Sequence, residues 1–133
     1  MKKIVIGTEV EFSKIFSIEE VFLFSEISED NNPIHIDEKK ASESIFGKRV
    51  VHGVLLTSMF SKIFGTIYPG NGSIYLNQTS KFIKPYFDGD KVLAKVTLIS
   101  FDRDKYRGSF LTECFNESNK LILTGEAKII FPK

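Results

Sequence analysis

"GVLLTSMFSKIFGTIY", residues 53–68, decides the fold. Val54, Leu55, Leu56, Met59, Phe60, Ile63, Phe64 and Ile67 spread over most of a helix surface instead of one stripe. A helix that apolar needs cover on nearly every side. Pro69 and Gly70 end it. Beyond Gly70 the chain reads as strand after strand. "SIYLNQTSKFIKP" runs from Ser73 to Pro85, and "KVLAKVTLIS" (91–100) sets Val92, Ala94, Val96 and Leu98 against Lys91, Lys95 and Thr97. "YRGSFLTECF" (106–115) and "KLILTGEAKIIF" (120–131) complete the set, with turns at "FDGD" (87–90), "DRDK" (102–105) and "NESN" (116–119). Four strands parted by turn clusters predict an antiparallel meander.

Upstream, "EVEFSKIF" (9–16) has a loose strand pattern through Val10, Phe12 and Phe16. Ser17 followed by Glu20 makes a capping box for a helix over 17–28, with Val21, Phe22, Phe24 and Ile27 as its apolar face. "DEKKASESIF" (37–46) predicts a short, polar-faced helix. A long buried helix and an antiparallel sheet that must cover it make a two-layer α+β domain. A curved antiparallel sheet wrapped around a central helix is the hotdog arrangement. No repeat or linker divides residues 1–133, so one domain is expected.

A chain of 133 residues buries roughly two-thirds of its unfolded surface, enough for a core. The net charge of +1 gives no general pull toward nucleic acid or acidic membranes. Cys114 stands alone, which excludes an internal disulfide. "MKKIVIGTEVEF" opens like a leader, but its apolar stretch is only Ile4 to Ile6. No uninterrupted apolar run has bilayer length. A cytoplasmic protein without a membrane partner is the expectation.

The chemistry concentrates in "SEDNNPIH" (28–35). On a continuous helix Asp30 and His35 would point about 140° apart. Pro33 disfavours helix at Asn32, and Asn31 and Asn32 tolerate turns, so the chain folds back and the two side chains can converge. The segment alone leaves two readings open: a turn whose aspartate satisfies backbone amides, or an acid–base pair. Gly53 opens the apolar helix, where backbone N–H groups lack intrahelical partners. It is either an ordinary helix start or a donor to an oxygen that gains negative charge. Ser58 and Ser61 interrupt the apolar helix, but "MFSKI" is no nucleophile elbow. Buried serines more often bond back to their own helix. His52 reads as packed or solvent-facing. Two histidines and one cysteine without metal-ligand spacing predict no metal site. "PGNGS" (69–73) lacks the phosphate-loop lysine and is a turn. Phe82, Tyr86 and Phe87 are expected in core or pocket walls.

"FSEISEDNNPIHID" resembles the signature of the MaoC-like (R)-specific enoyl-CoA hydratases: an acid, a variable residue, Asn-Pro, an aliphatic residue and His. The resemblance continues through "VVHGVLLTSMFS" and "GSIYLNQTSKFIKPYFDGD", and covers roughly residues 9–132. Many members have glycine before the aspartate, where this chain has Glu29. The resemblance implies a homodimeric hotdog enzyme that adds water reversibly to a trans-2-enoyl-CoA, giving an (R)-3-hydroxyacyl-CoA. It implies Asp30 and His35 as catalytic pair, Gly53 as oxyanion donor, and Ser61 and Asn32 as supporting polar residues. It implies no cofactor, since coenzyme A is part of the acyl-CoA thioester substrate. A carrier-protein dehydratase and a non-catalytic acyl-CoA-binding module are the alternatives.

Overall fold

The computed structural model describes residues 3–133. Met1 and Lys2, the first two residues of the stretch weighed as a leader, lie outside the described residues. Strand β1 covers Glu9–Ile15, and helix α1 covers Ile18–Ser28. The predicted capping box is present: Ser17 Oγ accepts from the Glu20 N–H, and Glu20 Oε1 accepts from the Ser17 N–H. Two short helices come next, α2 (Pro33–Ile36) and α3 (Glu38–Ser42). Then come α4 (Gly53–Thr66), β2 (Ile74–Gln78), β3 (Lys81–Phe82), β4 (Lys91–Asp102), β5 (Arg107–Phe115) and β6 (Leu121–Ile130).

One antiparallel sheet carries the order β1-β4-β5-β6-β2, with β3 also on β6. Its inner face comes from strand alternation. Phe12 pairs with Ala94, Ala94 with Cys114 and Cys114 with Leu123, one row across four strands. Against this face α4 buries Leu55, Leu56, Met59, Phe60, Ile63 and Phe64, each side chain contributing about 1.5–3 kcal/mol. The result is a hotdog fold, a helix held in a curved sheet. Burial pushes the Cys114 thiol up to about 12, so it is a small core residue and no nucleophile.

Three expectations need correction. The stretch 73–85 is not one strand preceding β4 in a meander. It breaks into β2 and β3, and both pair with β6, while β1 pairs with β4. The break has a physical cause: a Cβ on Gly125 of β6 would lie 1.8 Å from the Thr79 carbonyl oxygen, so the chain between β2 and β3 crosses directly over a bare backbone. Second, α4 is not covered all round, since Val54 and Ile67 stay exposed. Third, α1 buries Val21 and Ser25, with Phe24 half-buried, while Phe22 and Ile27 face outward.

Candidate active site

The "SEDNNPIH" stretch is a relay of short side chains bonding to nearby backbone. Helix α1 ends at Ser28, whose Oγ donates to the Phe24 carbonyl at 2.7 Å and accepts from the Asp30 N–H at 3.1 Å. Glu29 takes the left-handed conformation (φ 61°, ψ 12°), which turns the chain out of the helix. Asp30 Oδ1 accepts from the Asn32 N–H and Asn32 Oδ1 from the Ile34 N–H, both at 3.2 Å. Pro33 then starts α2 with φ already set for it. Asn32 thus caps α2 and holds the turn.

This turn brings Asp30 to the histidines. A ligating atom of Asp30, of His35 and of His52 all lie within 4.8 Å of one another. A water with arms of about 2.8 Å bridges groups up to roughly 5.6 Å apart, so carboxylate and imidazole lie within reach of one shared water. Asp30 is exposed and His35 is buried. His35 Nδ1 donates to the Val50 carbonyl at 2.7 Å, which leaves Nε2 as the acceptor of the neutral ring. Val50 N–H bonds Ile34 O at 3.0 Å, so α2 and Val50 are tied twice.

Gly53 is the first residue of α4 and its N–H has no acceptor among the described residues. A cavity of about 350 Å³ is lined by His35 and Gly53 together with Ile34, Val51, Phe82, Tyr86 and Lys84. Phe82 closes over Gly53: a Cβ there would meet the ring at 2.6 Å, so glycine is the residue that leaves this N–H approachable. A larger cavity, about 460 Å³ between Tyr68, Tyr106 and Phe131, has no Asp, Glu or His side chain in its walls. Chemistry, and not size, singles out the first. Ser61 lies on the exposed side of α4, and among the described residues nothing hydrogen-bonds its hydroxyl. The fold brings Asp30 and His35 together and sets Gly53 on the same cavity as His35; it does not bring Ser61 to them within one chain. Ser58 Oγ donates back to the Leu55 carbonyl at 2.6 Å.

His52 is the site residue the sequence did not single out. It is 2% exposed, stacks on His35 at 3.8 Å between centroids, and its Nε2 lies 3.1 Å from the Asp30 carbonyl oxygen. Burial pushes its imidazole below the usual range, with the Asp30 carbonyl bond working against that. Asp30, His35 and His52 are a poor metal set in this geometry. One nitrogen of each ring is already bonded to a carbonyl, which leaves a single nitrogen per histidine for a metal.

Residues 3–112 match the family model described as a MaoC like domain. The chain belongs to the MaoC-like domain family. Over 127 residues this MaoC-like chain is 40% identical to an (R)-specific enoyl-CoA hydratase of Aeromonas caviae, covering 96% of this chain and 95% of that protein. It is 35% identical to a mitochondrial 3-hydroxyacyl-[acyl-carrier-protein] dehydratase of Arabidopsis thaliana, covering 96% of this chain and 77% of that one. Its structure superposes on the A. caviae (R)-hydratase with a TM-score of 0.96 at 39% identity, over 99% of this chain and 100% of the other. An R-hydratase from Pseudomonas aeruginosa gives 0.92 at 32% identity, over 98% and 83%.

Proposed function

We propose that this MaoC-like chain is an (R)-specific enoyl-CoA hydratase, adding water reversibly to a trans-2-enoyl-CoA to give an (R)-3-hydroxyacyl-CoA. One observation carries the reading: the Asn-Pro turn sets Asp30 beside His35, and His35 shares a cavity with the free Gly53 N–H. The relatives named as hydratases at 36–40% identity point the same way.

In the proposed reaction a water between Asp30 and His35 attacks C3 of the enoyl thioester and gives up a proton to the pair. The C2–C3 π electrons move toward the thioester carbonyl, whose oxygen gains negative charge against the Gly53 N–H. C2 takes a proton relayed from the same pair, and both atoms of the former double bond are saturated. Asn32 serves by holding the turn. Ser61 faces outward on α4 and takes no part in the scheme within one chain. The substrate brings its own coenzyme A, and no other cofactor enters the scheme.

A homodimer belongs to the same proposal. Among the described residues strand β2 ends the sheet with one edge unpaired, and Ile74, Tyr75 and Leu76 on it are exposed, as is Val54 on α4. Light scattering at working concentration tests this.

A second reading, a dehydratase for acyl groups on a carrier protein, is favoured by the relatives of that name at 35% and 31% identity. The decisive experiment tracks loss of enoyl-thioester absorbance with CoA and carrier-protein substrates, with chiral analysis of the product. Asp30→Asn and His35→Gln should each lower the rate by about a hundredfold or more. Folded variants with wild-type turnover would sink the assignment, and turnover confined to carrier-bound substrate would favour the second reading.

A further inference from the structure

Among the described residues the buried polar side chains are Ser25, His35, His52 and Thr112, and the first three cluster beside Asp30.

Hydrogen-bond partners fix both imidazoles. A carbonyl oxygen only accepts, so His35 carries its proton on Nδ1, toward Val50. By the same logic His52 carries its proton on Nε2, shared between the Asp30 carbonyl and Ser25 Oγ, each at 3.1 Å. The other His52 nitrogen, Nδ1, is buried and has no partner among the described residues. Two rings stacked at 3.8 Å therefore hold their protons on opposite nitrogens. A second proton on His52 would place an unpaired N–H at Nδ1 in a buried site, next to His35. Phe24 meets the same ring in a T-shaped contact at 4.8 Å between centroids.

We propose that His52 is a positioning residue: it ties the Asp30 main chain and the His35 ring to the start of α4, so that acid, imidazole and Gly53 N–H form one rigid unit. His52 is the N-cap of α4. Its peptide bond with Gly53 is planar, so the tilt of the His52 backbone sets the direction of the Gly53 N–H. One side chain thus sets the spacing between the water-activating pair and the donor to the thioester oxygen. The inference rests on the hydratase reading.

The test uses His52→Leu, which loses both the N–H and the stack, and His52→Gln, which keeps a neutral N–H donor. Asp30→Asn serves as reference, and crotonyl-CoA as the probe substrate. His52→Leu should lose roughly a hundredfold in kcat with KM changed by less than about threefold, the cost of a misplacement near 1 Å. His52→Gln should recover about tenfold of that loss through its hydrogen bond. Long-range proton–nitrogen spectra of the wild type at neutral pH, with histidine labelled, should show His52 protonated on Nε2 and His35 on Nδ1. This readout needs no variant to fold. Wild-type kcat in both His52 variants, a loss carried by KM alone, or a His52 proton on Nδ1 each overturns the proposal. If Asp30→Asn also turns over normally, the hydratase site itself is wrong; if only the His52 variants do, His52 alone is.

Discussion

Alanine at Gly53 separates the stability of this fold from its chemistry. The added methyl would sit 2.6 Å from Phe82 Cε1, 2.7 Å from Cδ1 and 3.1 Å from Cζ. Carbon contacts settle near about 3.5–4.0 Å, so the ring edge must retreat by roughly 1 Å. Phe82 is 52% exposed on the two-residue strand β3, and its ring can swing outward. That puts the strain at the low end of overpacking, about 1 kcal/mol. Alanine also forms helix better than glycine by up to about 1 kcal/mol, which offsets it. The unfolding midpoint should therefore stay within about 5 °C of wild type.

Activity has no such compensation. Phe82, Gly53 and His35 line one cavity, so a ring pushed off Gly53 reshapes the route by which a thioester oxygen would reach the Gly53 N–H. A carbonyl moved by about 1 Å from its donor costs roughly a hundredfold in kcat/KM. Thermal unfolding and the enoyl-thioester absorbance assay, run on the same preparation, read both quantities. Gly53→Ala with Phe82→Ala removes the ring and should restore most of the loss. Wild-type kcat/KM in the single variant would refute the placement of the oxygen at Gly53. A loss that the second substitution leaves untouched would refute the route through Phe82.

Three further outcomes hang on single residues. Glu29→Gly should raise the unfolding free energy by about 1 kcal/mol, because φ of 61° suits glycine; a urea titration showing destabilisation would refute this. Gly125→Ala should cost more than about 3 kcal/mol or prevent folding, since the clash at 1.8 Å is with the Thr79 backbone and no rotamer relieves it; a well-folded variant by circular dichroism would show that β2 and β3 connect differently. His52 is held below its usual value of 6.5, so the unfolded chain takes up that proton first. Its contribution is full above pH 6.5 and declines as pH falls toward the lower folded value, so the urea midpoint of wild type should drop more steeply there than that of His52→Gln. Parallel pH curves for the two proteins would contradict the buried neutral ring.

What the sequence made legible is what local chemistry decides. The density of apolar residues over 53–68 placed α4, Ser17 and Glu20 placed the start of α1, and alternation from Val92 to Leu98 gave the inner face of β4. Pro33 after two asparagines marked the turn at which Asp30 and His35 come together. Strand order was not legible, because β2 chooses between β4 and β6 by pairing residues far apart in the chain. Gly125 held a usable signal: a lone glycine inside a strand marks close backbone approach, and here the Thr79–Ser80 link crosses it. Phe22 and Ile27 misled for another reason. Periodicity counts apolar positions along α1, but which stripe is buried depends on what lies beneath, and Val21 and Ser25 face it.

Glu29 joins these two kinds of information. A glycine before the aspartate would suit the left-handed conformation, and this chain reaches that φ with a glutamate. Strain of about 1 kcal/mol is tolerable only where the surroundings over-determine the backbone. Here they do: Ser28 Oγ holds the Asp30 N–H on one side, and His52 holds the Asp30 carbonyl on the other. The extra carboxylate therefore leaves the position of Asp30 intact, because that position is set by its own main chain and not by the residue before it. Cutting the His52 tie should accordingly make the turn sensitive to residue 29. Glu29→Gly should stabilise His52→Leu and wild type by different amounts, a coupling of at least about 0.5 kcal/mol in a double-mutant cycle. Strict additivity would mean that the turn holds Asp30 without help from α4.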